Sequence, residues 1–340
     1  MAYTTINKPS DYFNTKLYTG NGSTNAITGV GFQPDWLWFK NRADTYNHHV
    51  FDAIRGVNQQ LQVDSNGAES TYATSMTSFD SDGFTLGANN NINYNGNNHV
   101  AWCWKAGGSG SANTDGSINT TSTSVNTTAG FSISKYTGTG SNATVGHGLG
   151  SAPKMVIIKS LSAVGDWLVG HSGIGFTERI LLNTTAAKVT DSTSWQNTAP
   201  TSSVFSIGTN GACNTSSTTY IAYCFADKTG FSKFGSYYGT GSGNNFIYTG
   251  FKPAWLMVKK SSGTDAWVMV DSKRDTDNPV SNYLLANSSA AEASGLTYDF
   301  VSNGFKFNDS SQNTSAEQYI YMCFAEEPLV GSNNIPATAR

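Results

Sequence analysis

The side chains that could do acid-base chemistry are few, and several stand at matched places. Asp52, His171 and Asp271 each end an apolar run (HHVFD, WLVGH and WVMVD), with His48 and His49 opening the first; His99 and His147 lie in Asn- or Gly-rich stretches. Glycoside cleavage needs paired carboxylates, and covalent catalysis needs a nucleophile beside its base. Asp52 and Asp271 are therefore the candidate acids of a polysaccharide depolymerase. No second acid recurs beside them, and the middle copy carries histidine instead, so the pattern points away from an enzyme. The closely spaced carboxylates of DSDGF (80–84) are what a calcium loop needs, yet the matched SSVFS and VSNGF lack them, which favours a hairpin turn. The YTGNGS and YTGTGS runs are not followed by GK[ST] or a helix, so they are not phosphate loops.

Cysteines and tryptophans carry the remaining chemistry. Cys103, Cys224 and Cys323 hold one place in three copies of a repeat, and Cys213 stands apart. Three separate cores would keep the matched thiols too far apart to pair, and no CxxC or matched His spacing offers a metal site. The expectation is buried free thiols, no metal, no cofactor, and folding in a reducing cytoplasm. Four of the eight tryptophans crowd into the first copy, in WLWF and WCW. Trp36 with Trp38, and Trp102 with Trp104, share strand faces, while Leu37, Phe39 and Cys103 fill the opposite ones. A strand apolar on both faces needs cover on both. The cover is core and loop, a neighbouring subunit, or, if the tryptophans form an exposed platform, a stacked sugar; the four are the candidate ligand-binding residues.

The elements that must position these residues repeat three times. Phe13, Phe131 and Phe231 each precede a Tyr-Gly-rich stretch; PDWLWFK, PKMVIIK and PAWLMVK follow; each copy closes on VAWCWK, IAYCFA or IYMCFA. Strand-length runs of β-branched and aromatic residues, bounded by Gly, Asn, Asp or Ser, predict an all-β protein of three tandem β-sandwich (jelly-roll-like) modules of about 100 residues each. Their expected bounds are 1–107, 131–229 and 230–330, with a Gly/Ser/Thr/Asn-rich linker at 108–130 and a tail at 331–340. The long linker reads as a flexible tether and DKTG (227–230) as a tight joint, so modules two and three are expected to stack more rigidly than one and two. Composition agrees: of 340 residues 13% are charged, 12% are aromatic and 35 are glycine. A net charge of -3 without a basic cluster argues against nucleic acid, and the longest apolar runs are far short of the ~18 residues of a membrane span. The N-terminal residues show no Sec signal pattern.

The runs GVGFQPDWLWFKNR (29–42), FDAIRG (51–56), SFDSDGFTLG (78–87) and HVAWCWKAGG (99–108), with YTGTGSNATVGHGLGSAPKMVIIK (136–159), resemble repeated β-modules of marine tailed-bacteriophage virion proteins, a domain of unknown function. The resemblance is densest over 1–108; the second copy lacks the Asp-Gly turn, and the third diverges between Lys260 and Leu284. It implies a virion surface protein (tail fibre or appendage, head fibre or capsid decoration) made in the host cytoplasm. Its implied partners are other virion proteins, copies of itself in a homo-oligomer such as a trimer, and a host-surface glycan. It assigns no catalytic residue. A lectin-like glycan binder is the alternative, and a depolymerase the third.

Overall fold

The structure is a computed structural model that describes residues 3–330 and 336; the expected tail at 331–340 lies outside the described residues apart from Pro336. The chain is all-β. In the first repeat one large antiparallel sheet runs in the order Phe13–Thr19, Asn98–Trp104, Trp36–Asn41, His49–Asp52, Gln59–Gln62, Ser70–Thr71. A small sheet of Asn25–Thr28, Gly83–Leu86 and Met76–Asp80 packs on it. The second and third repeats lay down the same order around Phe131–Thr137, Thr219–Phe225 and Met155–Ser160, and around Ser232–Tyr238, Gln318–Pro328 and Phe251–Lys260.

Strand alternation explains why these strands are apolar on both faces. Leu37, Phe39 and Cys103 face the small sheet of unit one; Val156, Ile158 and Cys224 do so in unit two, and Leu256, Val258 and Cys323 in unit three. The residues between them face a single core common to all three units. There Trp36 pairs across strands with Trp104, Met155 with Phe225, and Trp255 with Phe324. Trp36 stacks on Tyr223 at 4.7 Å, Trp104 meets Trp255 edge-on at 5.7 Å, and Phe13 stacks on Phe324 at 4.9 Å. The cover the aromatic strands require thus comes from the other two units of the same chain.

The units close into a ring. The amide of Glu69 donates to Leu161 O, that of Lys188 to Ser261 O and that of Glu292 to Arg42 O, each at 2.9 Å. These are one hydrogen bond, repeated from unit one to two, two to three and three back to one. Tryptophan indoles repeat the pattern: Trp167 Nε1 donates to Gln62 O and Trp267 Nε1 to Leu181 O, both at 2.9 Å. At the third seam His48 takes the tryptophan position. Its Nδ1 accepts from Trp38 Nε1 at 2.9 Å, which places the proton on Nε2, on the side of the Leu285 carbonyl.

Two expectations are corrected. The segment 108–130 is no tether: Ser122–Asn126 adds an edge strand to the second large sheet, Ser111 bridges Thr123, and Ile118 bridges Val145 and is buried. Its small residues permit close backbone packing rather than freedom. A Cβ on Gly110 would lie 2.3 Å from Thr123 O, and one on Gly116 2.4 Å from Thr144 O. Linker length also does not rank the stacking, because matched bonds join all three pairs of units. Replacing Trp36 with Ala is expected to cost about 3–5 kcal/mol. Because the core is shared, urea unfolding should remain one transition, coincident by tryptophan fluorescence and far-UV circular dichroism. Separate transitions for the units would contradict a coupled ring.

Candidate functional site

The four tryptophans singled out as an aromatic platform, Trp36, Trp38, Trp102 and Trp104, are 0–1% exposed. No ring face is open for a sugar to stack on. Their sites lie in the shared core because residues one position out of phase with those facing the small sheet must face the other way, and that side here is the other two units.

The candidate acids are walled in at the same seams. Asp52 Oδ1 accepts the amides of Ile54 (3.2 Å) and Arg55 (2.9 Å), closing the turn after its strand, and Oδ2 accepts from Arg55 Nε at 2.5 Å and from Tyr223 OH of unit two at 2.8 Å. Asp271 repeats this with the amides of Lys273 and Arg274, with Arg274 Nε at 2.6 Å, and with Trp102 Nε1 of unit one at 3.1 Å. Glu69 and Glu292 complete the arginine pairings at 3.1 and 2.9 Å. Burial disfavours each guanidinium charge, but the neighbouring carboxylates outweigh it and push both arginine pKa values up. Every acceptor position on these aspartates is engaged within the chain.

The histidine of the middle copy follows from its neighbour. Unit three offers Met322 where unit two offers Tyr223 and unit one Trp102, so no side-chain donor reaches across to position 171. Ile174 stands where Arg55 and Arg274 stand, and a carboxylate would be buried without a counterion. His171 meets both demands without charge: Nδ1 accepts the Gly173 amide at 3.0 Å, and Nε2 lies 3.2 Å from Tyr321 O of unit three. His171→Asp is accordingly expected to cost about 3 kcal/mol or more in urea unfolding, with part of the loss recovered on adding Ile174→Arg and Met322→Tyr. Equal stability of the single and triple variants would contradict this account.

Sequence reasoning passed over the three matched lysines. Lys40, Lys159 and Lys259 are buried, and each ammonium is held by backbone carbonyls; Lys159 reaches Asn66 O of unit one at 3.4 Å, and Lys259 reaches Thr185 O of unit two at 3.2 Å. Burial lowers all three to about 8. Their strict spacing after proline was the available signal. Asp80 and Asp82 of the DSDGF turn are also occupied: Asp80 accepts from the hydroxyls of Ser78 and Thr85, and Asp82 from the amides of Gly29 (3.0 Å) and Gly31 (2.6 Å). The four cysteines are free and buried, with Cys103, Cys224 and Cys323 in three different clusters.

The ring has two distinct ends. Residues 3–12, 325–330, the 226–231 connection and the two ends of the 105–130 connection lie where Phe13 pairs with Trp104, Phe131 with Phe225, and Ser232 with Phe324, while the middle of 105–130 runs along unit two as far as the Ser122–Lys135 pair. The opposite end carries the Tyr-Gly-rich loops, one per unit. Each is gripped by a fully buried asparagine: Asn93 Nδ2 donates to Ser23 O, Asn214 Nδ2 to Ser141 O and Asn313 Nδ2 to Ser242 O, all at 2.6 Å. The repeated tyrosines fasten the same loops, with Tyr18, Tyr136 and Tyr237 donating to Ile92 O, Cys213 O and Gln312 O at 2.5, 2.7 and 2.7 Å. The loop backbones are hydrogen-bonded there, while Thr, Ser, Asn and Gly at the tips are exposed.

Acid sensitivity follows from burial. His49, His99 and His171 are pushed down to about 4 by desolvation, so between about 6.5 and 4 the unfolded chain binds protons that the folded chain does not, and stability falls as pH falls. Asp64, raised to about 6 by burial, acts in the opposite sense below that pH with a single proton. The same reasoning makes stability rise from about pH 8 to 9 as the three lysines lose their charge; above that the four buried thiols, pushed up by desolvation, oppose the rise. The urea midpoint should be lower at pH 5 than at pH 7; an unchanged midpoint would contradict neutral buried histidines.

No curated protein matches the chain. One family model matches residues 8–328, running through all three units, as a ring with one shared core requires. On that match the chain belongs to the family described as a domain of unknown function, DUF7483.

Proposed function

We propose that the protein is a non-enzymatic structural component of a bacteriophage virion surface, a tail appendage or capsid decoration, with an adhesive role towards the host surface. The observation that carries this reading is the division of the ring: residues 3–12, 325–330 and the short 226–231 joint at one end, three polar loops held by buried asparagines and tyrosines at the other, and Asp52 and Asp271 sealed at the seams. Such a body suits attachment by one end and presentation of the other. The low charge suits packing beside other virion proteins, since like-charged neighbours would repel. The resemblance of 29–42, 51–56, 78–87 and 99–108 to phage virion modules supports the same class. A homotrimer loses its main motivation, because one chain already supplies three units around a common core; contacts with other virion proteins then use the polar surface.

Mass spectrometry of purified virions from the phage encoding the chain tests the proposal. The protein is expected in the particle, at hundreds of copies for a decoration and a handful for a tail appendage. Absence from the particle would overturn it.

A further inference from the structure

Unit three departs from its two counterparts at one place on the loop end. Ile92 and Cys213 occupy matched, fully buried positions on short helical turns, Asn90–Asn93 and Gly211–Asn214. Unit three has Gln312 there, at φ 50°, and no helical turn. In unit two, Phe176 and Trp195, with ring centroids 5.7 Å apart, pack in one cluster with Leu168 and Cys213 and close the space. In unit one the residue matched to Leu168 is the buried His49. Their counterparts in unit three, Val268 and Gln312, instead line an open cavity of about 420 Å³. The space that unit two fills with Phe176 and Trp195 is open in unit three.

The lining is amphipathic. Val268, Leu285, Leu296 and Tyr283 supply an apolar floor, and Ser310, Ser311 and Thr314 a hydroxyl rim. Asp265 is fixed from both sides: its amide donates to Thr185 O across the seam at 2.9 Å, and its Oδ1 accepts the Ala266 amide at 2.8 Å, while Oδ2 has no hydrogen-bond partner among the described residues. Gln312 Oε1 accepts the Tyr298 hydroxyl, and its backbone carbonyl accepts from Tyr237, so Nε2 is left to donate. No lysine or arginine lines the cavity.

We propose that this cavity binds one neutral pyranose unit of a surface polysaccharide. Sugar hydroxyls donate to Asp265 Oδ2 and accept from Gln312 Nε2, and the C–H face of the ring packs on Tyr283 and the leucines. The volume falls within the range of small-ligand sites, about 300–1,000 Å³. An acidic sugar is disfavoured, because it would bring a second carboxylate to Asp265 while no lysine or arginine lines the cavity and Lys259, behind the wall, already faces the Asp265 charge. The site gives the adhesive role above its ligand class and rests on that reading only for the source of the sugar. Binding by the purified chain tests the site and particle composition tests the role, so either can fail alone.

Saturation-transfer difference NMR and calorimetry on the purified full chain, with glucose, galactose, N-acetylglucosamine and glucuronate as probes, decide the matter. At least one neutral sugar is expected to bind, and glucuronate at least tenfold more weakly. Asp265→Ala, which keeps the seam amide, and Ser310→Trp, an exposed rim change that blocks the mouth, should each weaken binding at least tenfold in a chain that still unfolds in one cooperative transition. Ser216→Trp on the loop end of unit two should leave binding intact. If one variant fails to fold, the other decides. No signal from any neutral sugar, equal binding of glucuronate, or binding unaffected by both cavity variants would overturn the proposal.

Discussion

Each large sheet must bury two apolar faces, and the rest of the structure depends on that. A small sheet covers one face within each unit, and the other face can leave water only against the two remaining units. A single two-layer sandwich would expose Trp36, Trp38, Trp102 and Trp104 or their counterparts as a large apolar patch. Closing three units around one aromatic core removes that exposure without a second chain. The seam bonds are its consequence: once the sheets meet, polar groups at the junction lose water, and matched backbone partners recur at all three seams.

The seams also explain residue choices that look arbitrary along the chain. Aspartate with arginine occurs where the neighbouring unit presents Tyr223 or Trp102, and histidine with isoleucine where it presents Met322. The rule links positions 171 residues apart in one case and 169 in another. Charge at these places serves assembly. Burial and full hydrogen bonding keep Asp52 and Asp271 away from solvent-borne molecules, and it is at the loop end that the three units cease to be equivalent.

Unit three leaves a loop-end space open. The exchange of Ile92 and Cys213 for Gln312, and of a helical turn for a left-handed residue, changes a filled core corner into an amphipathic cavity. Repetition therefore does two things in this molecule: near-identity at the seams holds the ring, and divergence at one loop makes a place for a ligand.

Much of this was legible in the residues. The β-class, the free buried thiols and the Asp-Gly hairpin follow from alternation, turn residues and matched spacing, all local properties. The sequence also announced that WLWF and WCW need cover on both faces. It was silent on what provides the cover, because composition does not tell a sugar, a subunit and a sister unit apart. The segment 108–130 misled for a related reason: glycine and serine read as freedom, yet here they let backbones approach at distances no side chain permits. Which face meets which unit, why Asp52 and Asp271 are structural, and where one cavity stays open were decided by tertiary structure alone. These are contacts between residues more than a hundred positions apart, and a buried charge or an empty corner is defined only by what surrounds it.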